Sequence, residues 1–196
     1  MQEIIEIFNP SEINWIATIA AISGIVYVIL AAKENIWCWT AAIISVFLYI
    51  YINYQSGLFA QTGLQVFYLI MALYGYMMWN KEDKERIKEW SISSHIIIII
   101  IGSALTFLLG FYLSQYVKDS YFPIIDALTT VFSIFATYMV AKKVIGNWLY
   151  WIVIDLIMVY LYFSLELYIL SLQFIVYTVI AFFGYSQWLK KIKTND

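Results

Sequence analysis

The chain has 196 residues, 63% of them hydrophobic, 19% aromatic and only 12% charged, with a mean hydropathy of +0.80 and a formal net charge of −2. A soluble domain carries about 25% charged and 45–50% apolar residues, so a water-soluble globule is excluded because it could not cover this much apolar surface. A single cysteine, Cys38, excludes an intramolecular disulfide.

Residues 1–13 carry Glu3, Glu6 and Glu12 but no Lys or Arg. A secretory signal needs a basic start, so the first apolar run is expected to remain in the mature protein. Apolar runs predict membrane-spanning helices over 14–32, 37–54, 60–79, 92–115, 122–141, 147–164 and 169–189. Each is close to the roughly 20 residues that cross a bilayer. The β-branched run from Ile96 to Ile101 is read as helix, because in lipid a spanning segment must satisfy its own backbone. The longest connection, Asn80 to Trp90, is the only charge-dense one and reads as a solvated loop.

Lys33, Lys81, Lys84, Arg86, Lys88, Lys142, Lys143, Lys190, Lys191 and Lys193 fall on one side of a seven-span arrangement, and Lys118 falls on the other. The positive-inside rule then places the N-terminus outside and the C-terminus in the cytoplasm, in a bacterial inner membrane. Trp15, Trp37, Trp79, Trp90 and Trp188 lie near span ends, where an interfacial belt is expected.

An offset of 109 residues aligns Trp39 with Trp148, Tyr51 with Tyr160, Leu58 with Leu167 and Tyr68 with Tyr177. It also aligns Gly75 with Gly184, Tyr76 with Tyr185 and Trp79 with Trp188. The offset relates spans one to three to spans five to seven. Four spans separate equivalents, so the halves point the same way, a parallel repeat of the SWEET kind. The expected fold is therefore an all-α integral membrane protein with seven transmembrane helices in a SWEET-like 3+1+3 arrangement. Residues 1–79 form the first three-helix bundle, 80–121 a cytoplasmic loop and linker helix, and 122–196 the second bundle. The linker helix is expected against lipid on the outside.

Polar side chains are costly inside a membrane and so mark candidate sites. On span five, Asp126, Thr129, Thr130, Ser133 and Thr137 share one helical face. On span six, Trp148, Trp151, Asp155, Met158 and Tyr162 share another, with Asp155 near mid-depth. Spans three and seven add Gln65 with Tyr68 and Gln173 with Tyr177. Plainer readings stand beside these: Trp148 and Trp151 as interfacial anchors, the aspartates tied to neighbouring hydroxyls for packing, and the span-five hydroxyls bonded back to their own helix.

A mid-depth carboxylate flanked by Trp and Tyr suits an organic cation with an aromatic ring, since each ring face attracts a cation by about 0.5–2 kcal/mol. An anion such as a phosphate ester would be repelled, because no Lys or Arg is expected at that depth. One histidine and one cysteine leave no metal or nucleophile kit, so neither an enzyme nor a metal or cofactor site is expected, and no nucleic-acid partner. A non-transporting membrane subunit remains as a competing reading.

The stretch from Trp39 to Asn53, followed by GLFAQTGLQVFYLIMALYGYMMW from Gly57 to Trp79, resembles the PnuC-type vitamin transporters. So does DALTTVFSIFATYMVAKKVIGNWLYWIVIDLIMVYLYF from Asp126, and the closing GYSQW from Gly184 to Trp188. The resemblance covers nearly the whole chain and is most specific at GNWLYW with the following Asp155. It implies a SWEET-like fold and facilitated uptake of nicotinamide riboside, trapped afterwards by a cytoplasmic vitamin kinase. Relatives of the family take up thiamine or riboflavin. The family's site elements are matched by Gln65, Tyr68, Asn147, Trp148, Trp151, Gln173 and Tyr177, beside which Thr130, Ser133 and Asp155 complete the candidate substrate site. Nicotinamide riboside and thiamine are both aromatic cations, and the cage argument does not separate them.

Overall fold

The structure, a computed structural model, describes residues 15–55, 59–81, 86–116 and 122–195. The acidic N-terminal residues Glu3, Glu6 and Glu12, together with Lys84 and Lys118, lie outside the described residues. The described residues form seven α-helices: α1 (Trp15–Ala32), α2 (Trp37–Gln55), α3 (Phe59–Trp79), α4 (Ile92–Tyr116), α5 (Pro123–Ala141), α6 (Asn147–Ser164) and α7 (Tyr168–Asn195). Apolar runs broken by short polar turns set these boundaries, and six of the seven start and stop within a residue of the expected spans. The exception is α7, which runs past residue 189 through Lys190, Lys191 and Lys193. Long-chain lysines are good helix formers and solvate themselves, so the apolar limit is not the helical limit.

Six helices are long and apolar enough to cross a membrane. The remaining one, α3, has 21 residues, about 31 Å at 1.5 Å per residue. Gln65, Tyr68, Tyr74 and Tyr76 lower its hydropathy. The outward faces are apolar: Ile97, Ile100, Phe107, Leu108 and Phe111 of α4 are each more than half exposed, as expected of a surface covered by lipid.

Helices α1, α2 and α3 pack in sequence, as do α5, α6 and α7, and the two trios meet through α1 against α7 and α3 against α5. Helix α4 packs on α5. Its contact seam is Gly102, Thr106 and Gly110, all buried. A Cβ at Gly102 would come within 2.7 Å of the Phe132 ring, and one at Gly110 within 2.5 Å of Ile124. Small residues every fourth position allow this close approach.

The charge-dense connection is less solvated than its composition suggests. Lys88 donates its backbone N–H to Lys143 O and accepts one from Ile145, both at 3.0 Å. Ile87 packs against the core, and Trp90 lies 6.3 Å from Tyr138. Arg86, Lys88 and Glu89 face outward, so residues 86–90 form a strap docked on α5 and the turn that follows it.

The belt expectation fails for two of the tryptophans, which are buried while two others are exposed. Trp15 and Trp37 are 67% and 63% exposed, whereas Trp79 is 5% and Trp188 0% exposed. The last pair belongs to the core where the two trios meet.

Candidate functional site

Asp155 stands midway along the 18-residue α6 and is buried. Trp148, Trp151, Met158 and Tyr162 share its sheltered face, while Leu149, Val153, Leu156 and Tyr160 point outward. The 3.6-residue period thus turns one face of α6 to the interior and the other to lipid.

Tyr177 of α7 lies within electrostatic reach of Asp155 and of Tyr49 on α2. Gln173 Nε2 donates to its hydroxyl at 3.0 Å. The same hydroxyl reaches across to α1, where a Cβ at Gly24 would sit 3.3 Å from it and 3.3 Å from Ser45 Oγ. A glycine there leaves room for the tyrosine. Ser45 in turn donates to Ala20 O at 2.8 Å, tying α2 to α1. Tyr68 of α3 comes close to the Ser133 hydroxyl of α5. Phe174 stacks on Tyr162 at 5.5 Å and meets Tyr177 edge-on at 5.8 Å. Helices α1, α2, α6 and α7 therefore share an interior zone that combines a carboxylate, an amide, hydroxyls and ring faces, and α3 and α5 meet at a separate hydroxyl pair.

Towards the lysine-rich end the interior closes on four indoles. Trp39 meets Trp79 edge-on at 5.5 Å and 87°, and Trp148 meets Trp188 edge-on at 5.5 Å and 88°. Trp79 and Trp188 join the pairs at 6.2 Å. Each pair rests on a glycine, Trp39 against Gly75 and Trp148 against Gly184. Trp79 Nε1 donates to Ala141 O and Trp188 Nε1 to Ala31 O, both at 3.2 Å, so each indole crosses to the other trio.

Just beyond lie two matched turns. Glu34 and Lys143 have φ of 57° and 50°, a left-handed conformation that costs a non-glycine residue about 1–2 kcal/mol. Both follow helix ends closed by the same pair of bonds: Asn35 N–H to Leu30 O with Glu34 N–H to Ala31 O, and Val144 N–H to Met139 O with Lys143 N–H to Val140 O. Glycine would suit these turns better, and the side chains explain its absence. Lys143 Nζ meets Glu34 Oε1 at 2.6 Å and lies 5.0 Å over the Trp79 ring, while Lys191 Nζ meets Glu34 Oε2 at 2.7 Å. Burial pushes the Glu34 carboxyl up, but the hydrogen bonds and charges of Lys143 and Lys191 outweigh it and hold the group below its ordinary value.

The expected site residues separate into two levels. Asp155, Gln173 and Tyr177 form one group between α6 and α7 and Tyr68 and Ser133 a second between α3 and α5. Trp148 and Asn147 belong to the closed end, both almost fully buried, so Trp148 is not an anchor at the lipid interface. Trp151 is half-buried against the same core. Gln65 and Thr130 are half-buried on α3 and α5. The span-five stripe is partly structural, since Thr129 Oγ1 donates to Ile125 O at 2.9 Å and Thr137 Oγ1 to Ser133 O at 2.7 Å. Ordinary roles fit His95, whose Nδ1 lies 3.2 Å from Tyr150 Oη, and buried Cys38.

Among the described residues, four buried polar atoms lack a protein partner: Thr106 Oγ1 in the α4 seam, and Trp39 Nε1, Trp148 Nε1 and Asn147 Oδ1 at the closed end. Trp39 is absent from the expected site, although its repeat match with Trp148 was a signal for it. Gly24 and Ser45 were also missed; small residues carry no chemical flag in a sequence. A surface cleft of about 480 Å³ between Ile124, Leu128, Val153 and Leu156 is apolar and lies on the outward face of α5 and α6, away from this zone.

Residues 14–190 match the model of a family described as nicotinamide mononucleotide transporter. The chain is 26% identical to the nicotinamide riboside transporter PnuC of Escherichia coli (strain K12), over 93% of this chain and 88% of that one. It is 22% identical to the riboflavin/roseoflavin transporter RibM of Streptomyces davaonensis, over 90% and 85%. The crystal structure of the vitamin B3 transporter PnuC superimposes with a TM-score of 0.76 at 24% identity, covering 100% of this chain and 88% of that one, and shares its fold.

Proposed function

Since the chain belongs to the nicotinamide mononucleotide transporter family of multi-pass membrane proteins, we propose that it takes up nicotinamide riboside across a bacterial inner membrane by facilitated diffusion. Asp155 carries this reading. A carboxylate buried midway along a membrane helix is expensive without a purpose, and it supplies the counter-charge for a pyridinium ring. Tyr177 offers a ring near it, with Phe174 and Tyr162 continuing the aromatic wall from Tyr177, and Gln65, Gln173, Thr130 and Ser133 offer hydrogen bonds for ribose hydroxyls. Trp39, Trp148 and Asn147 contribute the unpartnered indole N–H groups and carbonyl oxygen, with Trp151 beside them. A buried donor or acceptor left unmade costs about 1–3 kcal/mol, which a bound amide or hydroxyl would recover.

The riboside fits better than the mononucleotide of the family's description. The lysines described within or beside the closed end, Lys33, Lys143 and Lys191, stand well away from mid-helix Asp155, so a phosphate there would meet a carboxylate and no cation.

Seven crossings, including α3, form two parallel three-helix bundles joined by linker helix α4, the SWEET-like 3+1+3 arrangement. The matched tryptophan pairs, glycines and turns support it. Residues 1–79 and 122–196 are the bundles, and 80–121 the loop and linker. The lysine-rich end faces the cytoplasm, so the N-terminus is outside and the C-terminus inside. Rocking of the bundles would expose the site to each side in turn, and a cytoplasmic kinase would trap the riboside as its phosphate. No catalytic step is assigned to the chain.

Calorimetric titration of the purified protein with nicotinamide riboside, its mononucleotide, thiamine and riboflavin tests the substrate. Binding of the riboside alone is the expected result. Similarity to RibM favours a second reading, a neutral flavin held by the aromatic walls; tight riboflavin binding indifferent to Asp155 would establish that instead.

A further inference from the structure

The two contacts between the trios are equivalent under the 109-residue offset but are not filled alike. Where α3 meets α5, Tyr74 stacks on Tyr138 at 6.3 Å and 11°, Trp90 covers Tyr138, and Lys142 lies 5.4 Å over the Tyr74 ring. Their equivalents where α1 meets α7 are Phe183, Ile29 and Lys33. Here no aromatic stack forms and no described strap crosses. A groove of about 360 Å³ remains instead, walled by Ile29, Val179 and Phe183 and ending at Lys33, Gln187 and Lys191. Phe183 is 65% and Val179 62% exposed.

We propose that this groove binds one anionic phospholipid, its headgroup phosphate on Lys33 and Lys191 and its acyl chain along Ile29, Val179 and Phe183. Charge complementarity identifies the occupant. At the mouth, Lys143 and Lys191 share a single carboxylate, Glu34, and exposed Lys33 is next to it in the chain, which leaves an excess of positive charge there. Dimensions agree as well. From Lys191 to Val179 along α7 is about 18 Å at 1.5 Å per residue, the reach of a phosphate, a glycerol and the upper part of an acyl chain. Basic pockets between membrane helices on the positively charged side are favourable seats for anionic headgroups. A lipid held there touches α1 and α7 together and so bridges the two trios beside the tryptophan closure, where the α3–α5 contact relies on its own aromatics. The inference rests on the chain being a membrane protein and is independent of which vitamin it carries.

Native mass spectrometry of the detergent-purified protein, offered phosphatidylglycerol or phosphatidylcholine, is the test. One phosphatidylglycerol should survive collisional activation that strips phosphatidylcholine. Lys33→Gln should lower its retention at least fivefold, Val179→Trp should abolish it by filling the groove, and Lys193→Gln should leave it unchanged. Glycerol phosphate, offered as the headgroup alone, should not be retained, which separates a lipid seat from a free-phosphate site. Equal retention of the two lipids, full retention by Val179→Trp, or equal losses in Lys33→Gln and Lys193→Gln would overturn the proposal. A dimer that Val179→Trp dissolves would do so too, since a second copy would then be the occupant.

Discussion

A carboxylate and a glycine illustrate how single side chains divide between binding and packing. In the proposed site Asp155 would supply charge at a depth where water screens little, so its attraction for a cation would be large compared with the same pair at a surface. Asp155→Asn keeps the shape and removes the charge. Its affinity for nicotinamide riboside, measured by calorimetry, is expected to fall at least tenfold, about 1.4 kcal/mol, with no loss of thermal stability. Gly184 acts through shape alone: a Cβ there would stand 2.7 Å from the Trp148 ring. Because Trp148 is wedged against Trp188, it has no room to yield. Gly184→Ala should therefore destabilise the fold by about 1–3 kcal/mol, as overpacking does, and lower the melting temperature in detergent whether or not substrate is present. Opposite results for the two variants, stability lost at Asp155 and affinity alone lost at Gly184, would mean that the two roles are exchanged.

At the scale of elements, the turns after α1 and α5 hold the trios together through charge. Glu34 has a lowered folded-state value, so its contribution is present above the ordinary carboxylate range and disappears as pH falls through that lowered value. Glu34→Gln should melt below the wild type at neutral pH, and the gap should shrink as acid protonates the wild-type carboxyl. A gap constant with pH would show that the charge contributes nothing. The helices themselves were legible in the sequence because lipid imposes a length and forbids unsatisfied backbone, so apolar runs and their breaks fix the ends. The roles of Trp79 and Trp188 were not, since the same residue type near a span end serves equally as a belt or as a core. Glu34 and Lys143 escaped the repeat comparison for a related reason. They occupy equivalent positions, but opposite charge and not identity is what makes them partners. Of the proposed site, the part the sequence displays is a polar group standing alone in an apolar span, as with Asp155. The remainder was illegible where packing sets the geometry, as with Gly24 and Ser45.

Taken as a whole, the molecule is sealed at its lysine-rich end by contacts that all cross between α1–α3 and α5–α7: two indole hydrogen bonds, one tryptophan contact and one branched ion pair. If transport passes through the proposed interior site, this seal must break and reform. Cys38, buried beside Trp39 in the sealed core, is the chain's single thiol and a built-in probe of that event. Trp188→Phe removes one crossing bond while keeping most of the ring volume. It should raise the rate at which a membrane-permeant maleimide modifies Cys38 several-fold, and saturating nicotinamide riboside should change that rate. Identical rates in both proteins, with and without substrate, would argue that this end does not open.

The four closely spaced indoles also form an optical device. Transition dipoles on rings 5.5–6.2 Å apart, two of the pairs nearly perpendicular, exchange excitation and split their absorption into signals of opposite sign in circular dichroism. Separating Trp79 from Trp188 would cut this coupled array into two halves. Opening of this end should thus be readable in the unlabelled protein as loss of the coupled signal.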